Sequence, residues 1–171
     1  MADGRYGYEK QVPSKIAYDP RTTWGYNTER GALAYCWTKL LLDRYAEASD
    51  FDDTEIREVE GPGLMQTPPG KTPEDVVSDY LTQLYAHVMA HLAREISVAL
   101  LQVTPIEFWF TMPALWSVRA ENATRDAAVR AGFGSRTGDT IHLIREPEAA
   151  AIACLNDLIK NGENPLVKVC H

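Results

Sequence analysis

The chain has 171 residues and a net charge of −7, with 45% hydrophobic and 24% charged residues, an ordinary composition for a globular domain. The acidic balance, without a basic cluster, argues against a nucleic-acid partner. Cys36, Cys154 and Cys170 have no motif spacing, which predicts reduced thiols and a cytoplasmic or nuclear protein. No stretch approaches the roughly 20 apolar residues of a spanning helix, so we expect no membrane partner.

The N-terminal part of the chain predicts short elements joined by turns. Residues 12–18 and 23–26 predict two short strands around the turn-forming sequence DPRT at 19–22. Residues 32–43 are apolar enough for a buried helix or turn. Residues 47–71 are acidic and then rich in glycine and proline, which predicts a surface loop.

The remaining sequence predicts helices that alternate with strands. Thr72 and Pro73 are typical of a helix start, and apolar residues at spacings of three and four then predict one long amphipathic helix to about residue 97. The order that follows is strand 106–111, helix 118–132, strand 140–144, helix 147–160 and strand 166–170. This alternation predicts an α/β fold with a mostly parallel sheet and crossover helices.

Two of the predicted strands lead into their helices through a proline. The strand sequence FWF at 108–110 runs into Pro113, and IHLI at 141–144 runs into Pro147 and then an alanine-rich stretch. Proline suits a first helical turn because the amide hydrogen that it lacks would have no intrahelical partner there. The pair predicts one site, formed by two strand ends whose helices begin beside each other.

The sequence around these two junctions, residues 103–155, resembles the ATPase domain of the seventy-kilodalton heat-shock chaperones. The matching motifs are MPA at 112–114, ATRDA at 123–127 and REPEAAA at 145–151, where the family has VPA, ATKDA and NEPTAAA. The variant motifs resemble those of the divergent chaperone-like proteins common in fungi more than those of the housekeeping chaperones. The resemblance implies that residues 1–171 form a partial actin-like ATPase fold, of the ribonuclease H-like type.

The resemblance also implies two residues of a hydrolytic site. Lys39 matches the family lysine that contacts the terminal phosphate and the attacking water, and Glu146 matches the carboxylate that acts through metal-bound water. Without the resemblance, Lys39 is a solvated lysine and Glu146 an acid favoured at a helix start. The family's two glycine-rich phosphate loops have no counterpart in the sequence. We therefore expect little or no ATPase activity, no metal site and no cofactor for this chain alone, although the full-length family uses ATP and Mg²⁺.

Other residues at the junctions have two readings. In the family, the proline matched by Pro113 couples nucleotide state to a second domain through an arginine eight residues later, where this chain has Glu121. The alternative is that Pro113 only ends a strand. Trp116 is a candidate for lining a pocket, although the aromatic residues of this region mainly predict core: Phe108, Trp109, Phe110 and Trp116.

Three functions are consistent with these patterns. The first is a divergent, truncated chaperone-type ATPase-domain protein. The second is a scaffold or interaction protein, in which an exposed sheet edge forms a homo-oligomer or binds a protein partner. The third is a small-molecule enzyme with a pocket near Trp116, Lys39 and Glu146. The fold by itself does not decide among them.

Overall fold

The computed structural model describes residues 12–43 and 63–160, which form a mixed α/β fold with two small sheets. The first sheet is antiparallel in the order β2-β1-β3, with strands β1 (Lys15–Ala17), β2 (Thr23–Trp24) and β3 (Ala34–Cys36). The second sheet contains the parallel strands β4 (Glu107–Met112) and β5 (Thr140–Arg145). The helices are α1 (Pro73–Ile96), α2 (Val98–Val103), α3 (Val118–Arg130) and α4 (Glu146–Lys160), and 3₁₀ helices span Gly25–Asn27 and Thr38–Asp43. None of these described helices is long and apolar enough to cross a membrane.

The predicted elements after residue 72 are confirmed to within two residues where the structure describes them. The N-terminal prediction is wrong in part. Residues 32–43 form strand β3 and a 3₁₀ helix, because β3 pairs with β1 and buries Tyr35 against Ile16. The described strands also form two sheets rather than one mostly parallel sheet. Most of the predicted loop at 47–71 and the predicted strand at 166–170 lie outside the described residues.

Helix α1 begins with a capping box, as its sequence predicts. The Thr72 hydroxyl accepts a hydrogen bond from the Asp75 amide at 3.2 Å, and the Asp75 carboxylate accepts one from the Thr72 amide at 2.9 Å. Two amide groups that would otherwise have no partner at the helix start are thereby satisfied. Arg130 of α3 also donates to Asp75 at 2.7 Å, which ties the two helices together.

Both sheets pack on helix α1. The antiparallel sheet contributes Ile16 and Tyr35, which surround Val76, a residue with no exposed surface. The next position, Val77, belongs to the larger core cluster beside the parallel sheet. That cluster also contains three fully buried alanines of α3, Ala120, Ala127 and Ala128, whose small side chains allow α3 to pack closely on α1.

Strand β4 alternates between the core and the outer face of its sheet. Phe108 is 9% exposed and packs edge to face on Phe133 at 4.9 Å between ring centroids, whereas Trp109 is 58% exposed. The prediction that Trp109 lies in the core is therefore wrong, because successive strand residues point to opposite faces. Trp109 instead stacks on His142 of β5, with ring centroids 4.4 Å apart.

Three hydrogen bonds show which backbone groups of the parallel sheet face its free edges. Thr140 donates its amide to the Ile106 carbonyl at 3.0 Å, so the even-numbered residues of β4 face β5. The backbone groups of the odd-numbered residues of β4 point away from β5. Among them is the Thr111 carbonyl, to which Lys39 donates at 3.2 Å. On the opposite edge, Arg125 donates to the Ile141 carbonyl at 3.2 Å. One long cation thus contacts each free edge, a common protection of unpaired strands.

The acid dependence of stability tests the helix cap. Hydrogen bonds from Thr72, and then the Arg130 guanidinium, lower the pKa of Asp75 to about 2. Because the folded-state pKa lies below the unfolded value of about 3.9, the ionised cap stabilises the fold above that pH and the stabilisation is lost as pH falls to about 2. In urea titrations, we expect Asp75→Asn to be less stable than wild type at neutral pH, with a difference that shrinks on acidification. Glu74→Gln, in the same turn, should keep the wild-type acid dependence, and equal slopes for Asp75→Asn and wild type would contradict this account.

Two neighbouring strand residues provide a matched test of the core. Phe108→Ala removes a buried ring and should lower the free energy of unfolding by about 3–5 kcal/mol. Trp109→Ala removes an exposed ring and one stacking contact, which should cost about 1 kcal/mol. Denaturant midpoints at constant slope measure both values. Equal losses for the two variants would show that the assignment of faces is incorrect.

Candidate functional site

Lys39 and Glu146 form an ion pair at the ends of the two parallel strands. Their side chains meet at 3.0 Å between Nζ and Oε1, although 107 positions separate them in the sequence. The same ammonium group donates to the Thr111 carbonyl and lies 5.4 Å from the centroid of the Trp116 ring. The structure therefore brings together three residues that the sequence singled out, Lys39, Glu146 and Trp116.

The 3₁₀ helix at 38–43 positions Lys39, and a buried carboxylate at its end fixes that helix. Asp43 is 7% exposed and accepts hydrogen bonds from the Ser117 amide at 2.7 Å and from the Ser117 hydroxyl at 3.0 Å. Ser117 is also the N-cap of α3, since its hydroxyl accepts from the Ala120 amide at 3.2 Å. Asp43 thus holds the segment that carries Lys39 against the start of α3.

The two proline junctions lie side by side, as predicted. Thr111 pairs with Ile144, and Met112 with Arg145, so both strands end at the same level of the sheet. Pro113 directly follows β4, and its carbonyl accepts from the Trp116 amide at 3.4 Å. Pro147 is the second residue of α4, and Glu146 is the first.

A second ion pair joins the two junctions. Arg145 donates to Glu121 of α3 at 2.8 Å and also to the Ala114 carbonyl after β4. Glu121 stands where the family resemblance implies an arginine, and here its carboxylate binds an arginine from the other strand. The observed role of this contact is to connect the two junctions.

The Lys39–Glu146 pair is partly exposed. The Lys39 side chain is 41% exposed and that of Glu146 is 49% exposed. Exposed pairs of this kind contribute only about 0.2–1 kcal/mol, because water screens the charges and both side chains lose rotamer freedom. An incoming anion could therefore separate the pair at small cost.

A cavity of about 460 Å³ lies next to Lys39, between β4 and the antiparallel sheet. Its walls come from β1, β3, α1 and β4, which are distant in the sequence, and it is lined mainly by aromatic and aliphatic side chains. Sequence patterns could not predict it, because no local spacing records which segments meet. Trp116 does not line this cavity: it is 8% exposed, lies in the core cluster and presents its ring to Lys39.

His87 and His91 lie one turn apart on α1 but take part in no metal-type cluster. In the described residues, no group of three or more histidine, cysteine, aspartate or glutamate side chains could hold a metal ion. The His87 ring instead packs edge to face on Trp24, with centroids 5.7 Å apart.

No model of a known protein family matches this sequence. No curated protein matches it either. The functional reading therefore depends on the geometry of Lys39 and Glu146 and on the motifs around them.

Proposed function

We propose that this chain is a divergent relative of the heat-shock-chaperone ATPase domain, within the actin-like ATPase superfamily, and has little or no ATPase activity by itself. The observation that carries the proposal is the 3.0 Å contact between Lys39 and Glu146 at the ends of two adjacent parallel strands. The motif resemblance and the order strand, helix, strand, helix support it.

The location of this pair suits a phosphate ligand. Ligands of α/β proteins bind beyond the carboxyl ends of parallel strands, and β4 and β5 both end beside Lys39. Phosphoryl transfer depends mainly on positioning and charge stabilisation, for which an ammonium and a carboxylate are suitable groups. Lys39 fits a terminal phosphate oxygen by charge, and Glu146 fits a metal-bound water. In the family, Mg-ATP supplies the phosphoryl group.

The same contacts predict a low activity. Lys39 already donates to Glu146 and to the Thr111 carbonyl, and its charge faces the Trp116 ring. A phosphate must displace Glu146 and then remain close to its negative charge. Glu146 is in direct contact with the lysine rather than separated from it by a water.

Phosphate binding tests the proposed site. We expect Glu146→Gln to bind inorganic phosphate more tightly than wild type, by up to about fivefold, because an exposed ion pair of about 0.2–1 kcal/mol no longer competes. Lys39→Met should abolish phosphate binding both in the wild-type chain and in the Glu146→Gln variant. Glu148→Gln, an exposed acid two positions along the same helix, is the matched control and should match wild type. Chemical-shift titration measures all five proteins. Phosphate binding that is indifferent to Lys39 would refute the site.

Nucleotide titration tests the predicted inactivity. A site saturated at 100 times its dissociation constant stabilises a fold by about 2.7 kcal/mol, which raises the melting temperature of a domain of this size by several degrees. For the wild-type chain with Mg-ATP, we expect no such rise and no phosphate release above background. A rise or turnover that disappears in Lys39→Ala would instead show an active ATPase.

A further inference from the structure

Among the described strands, β4 pairs with β5 alone, and its other edge opens into the cavity of about 460 Å³, which we call the edge groove. Four successive residues of β4, from Phe108 to Thr111, line the groove. A cavity on one face of a strand would be lined by alternate residues, because successive side chains point to opposite faces. A groove lined by all four residues therefore lies along the edge of the strand, where the backbone is accessible.

Backbone groups of β4 point into this groove. The hydrogen bonds at Ile106 and Thr111 direct the amide and carbonyl groups of Glu107, Trp109 and Thr111 away from β5. Of the side chains that the structure describes, Lys39 donates to this row, at the Thr111 carbonyl alone. Exposed amide and carbonyl groups along a strand edge without a paired neighbour are a template for an added strand, so the row favours a ligand with donors and acceptors at the period of a strand.

The walls of the edge groove define the side chains that such a ligand would carry. Apolar residues of the antiparallel sheet and of α1 face β4 across the groove, including Ile16, Tyr35, Tyr80 and Leu84. The described lining also contains two lysines, Lys15 and Lys39, and no carboxylate, although the whole chain has a net charge of −7. The groove is thus apolar with a cationic component.

We infer that the edge groove binds an extended peptide segment of another protein, which adds to β4 as a new strand. Alternate apolar side chains of the peptide occupy the groove, and an acidic residue lies near Lys15 and Lys39. A small apolar molecule would fill the volume but leave the backbone row of β4 without partners. A peptide strand fills the apolar volume with its side chains and pairs its backbone with the row of β4. This combination is the usual basis of recognition by strand addition.

The opposite edge of the sheet differs from the edge groove. Arg125 donates to the Ile141 carbonyl on the free side of β5, and no residue of β5 lines the cavity. The two edges therefore have similar cationic protection, but only β4 has an apolar groove beside it in the described structure. This difference assigns the peptide to β4.

Amide hydrogen exchange on the full chain tests the inference residue by residue. The probe is a synthetic peptide of alternating valine and threonine with one terminal glutamate. In the free protein, the Phe108 and Phe110 amides should be protected by β5, while the Trp109 and Thr111 amides exchange quickly. Added peptide should protect Trp109 and Thr111 and leave Phe108 and Phe110 unchanged. The inference would be overturned if saturating peptide did not protect the Trp109 and Thr111 amides selectively.

Backbone methylation of the probe separates strand addition from simple filling of the cavity. Two peptides are compared, each N-methylated at one of the two alternate sets of residues, so that their side chains are identical. The peptide whose methyl groups face β4 should bind about tenfold more weakly or worse, a loss of about 1.4 kcal/mol, while the other should bind like the parent. Equal binding of the two would identify a side-chain pocket and refute strand addition. Protection of Trp109 that rises with protein concentration in the absence of peptide would identify a second copy of the chain as the occupant.

Proline substitutions provide a matched pair on the protein. Trp109→Pro removes an amide that faces the groove. The variant should retain the fold, and its affinity for the probe peptide should fall by about tenfold or more. Phe110→Pro removes an amide that faces β5 and should destabilise the sheet. If Trp109→Pro does not fold, the methylated peptides still decide the question on the wild-type chain. Glu146 belongs to the phosphate site but does not line the groove, so Glu146→Gln should retain peptide-dependent protection of Trp109. A failure of the phosphate site and a failure of the edge groove therefore give different results.

Discussion

The packing of helix α1 against both sheets is the interaction on which the rest of the structure depends. Val76 faces the antiparallel sheet, and Val77 belongs to the core beside the parallel sheet. Among the described strands, the two sheets share no pairing, so this helix holds them together, with the help of the 3₁₀ helix that carries Lys39 and Asp43. Its capping box fixes where the helix begins, and therefore which of its residues face each sheet.

Within residues 12–43 and 63–160, the two-stranded parallel sheet has no paired strand on either edge, and this constraint determines much of the local chemistry. Arg125 satisfies a carbonyl on the β5 edge, and Lys39 satisfies one on the β4 edge. In both cases a long side chain from a neighbouring element reaches a backbone group that a third strand would otherwise bind. Cations at strand edges also discourage uncontrolled pairing with other chains.

Lys39 connects the two proposals, because one ammonium group contacts both the edge of β4 and the carboxylate at the start of α4. A phosphate would compete with Glu146 for the Lys39 ammonium group. An added strand would compete with that ammonium group for the Thr111 carbonyl. The observed contact of Lys39 with the strand edge and its proposed contact with phosphate therefore depend on the same ammonium group. Removing the lysine affects both sites, whereas the backbone of Trp109 belongs only to the edge groove.

The sequence by itself determined the elements whose signals are local. The Thr72–Asp75 cap, the amphipathic period of α1 and the two proline junctions each depend on residues within a turn or two, so their positions could be predicted. The family resemblance also directed attention to Lys39 and Glu146. The tertiary structure decided the rest: which face of β4 is buried, and hence the exposure of Trp109, the division into two sheets, and the 3.0 Å contact across 107 positions. These features depend on which distant segments pack together, because burial and long-range pairing arise from the whole core and leave no periodic signal in one segment.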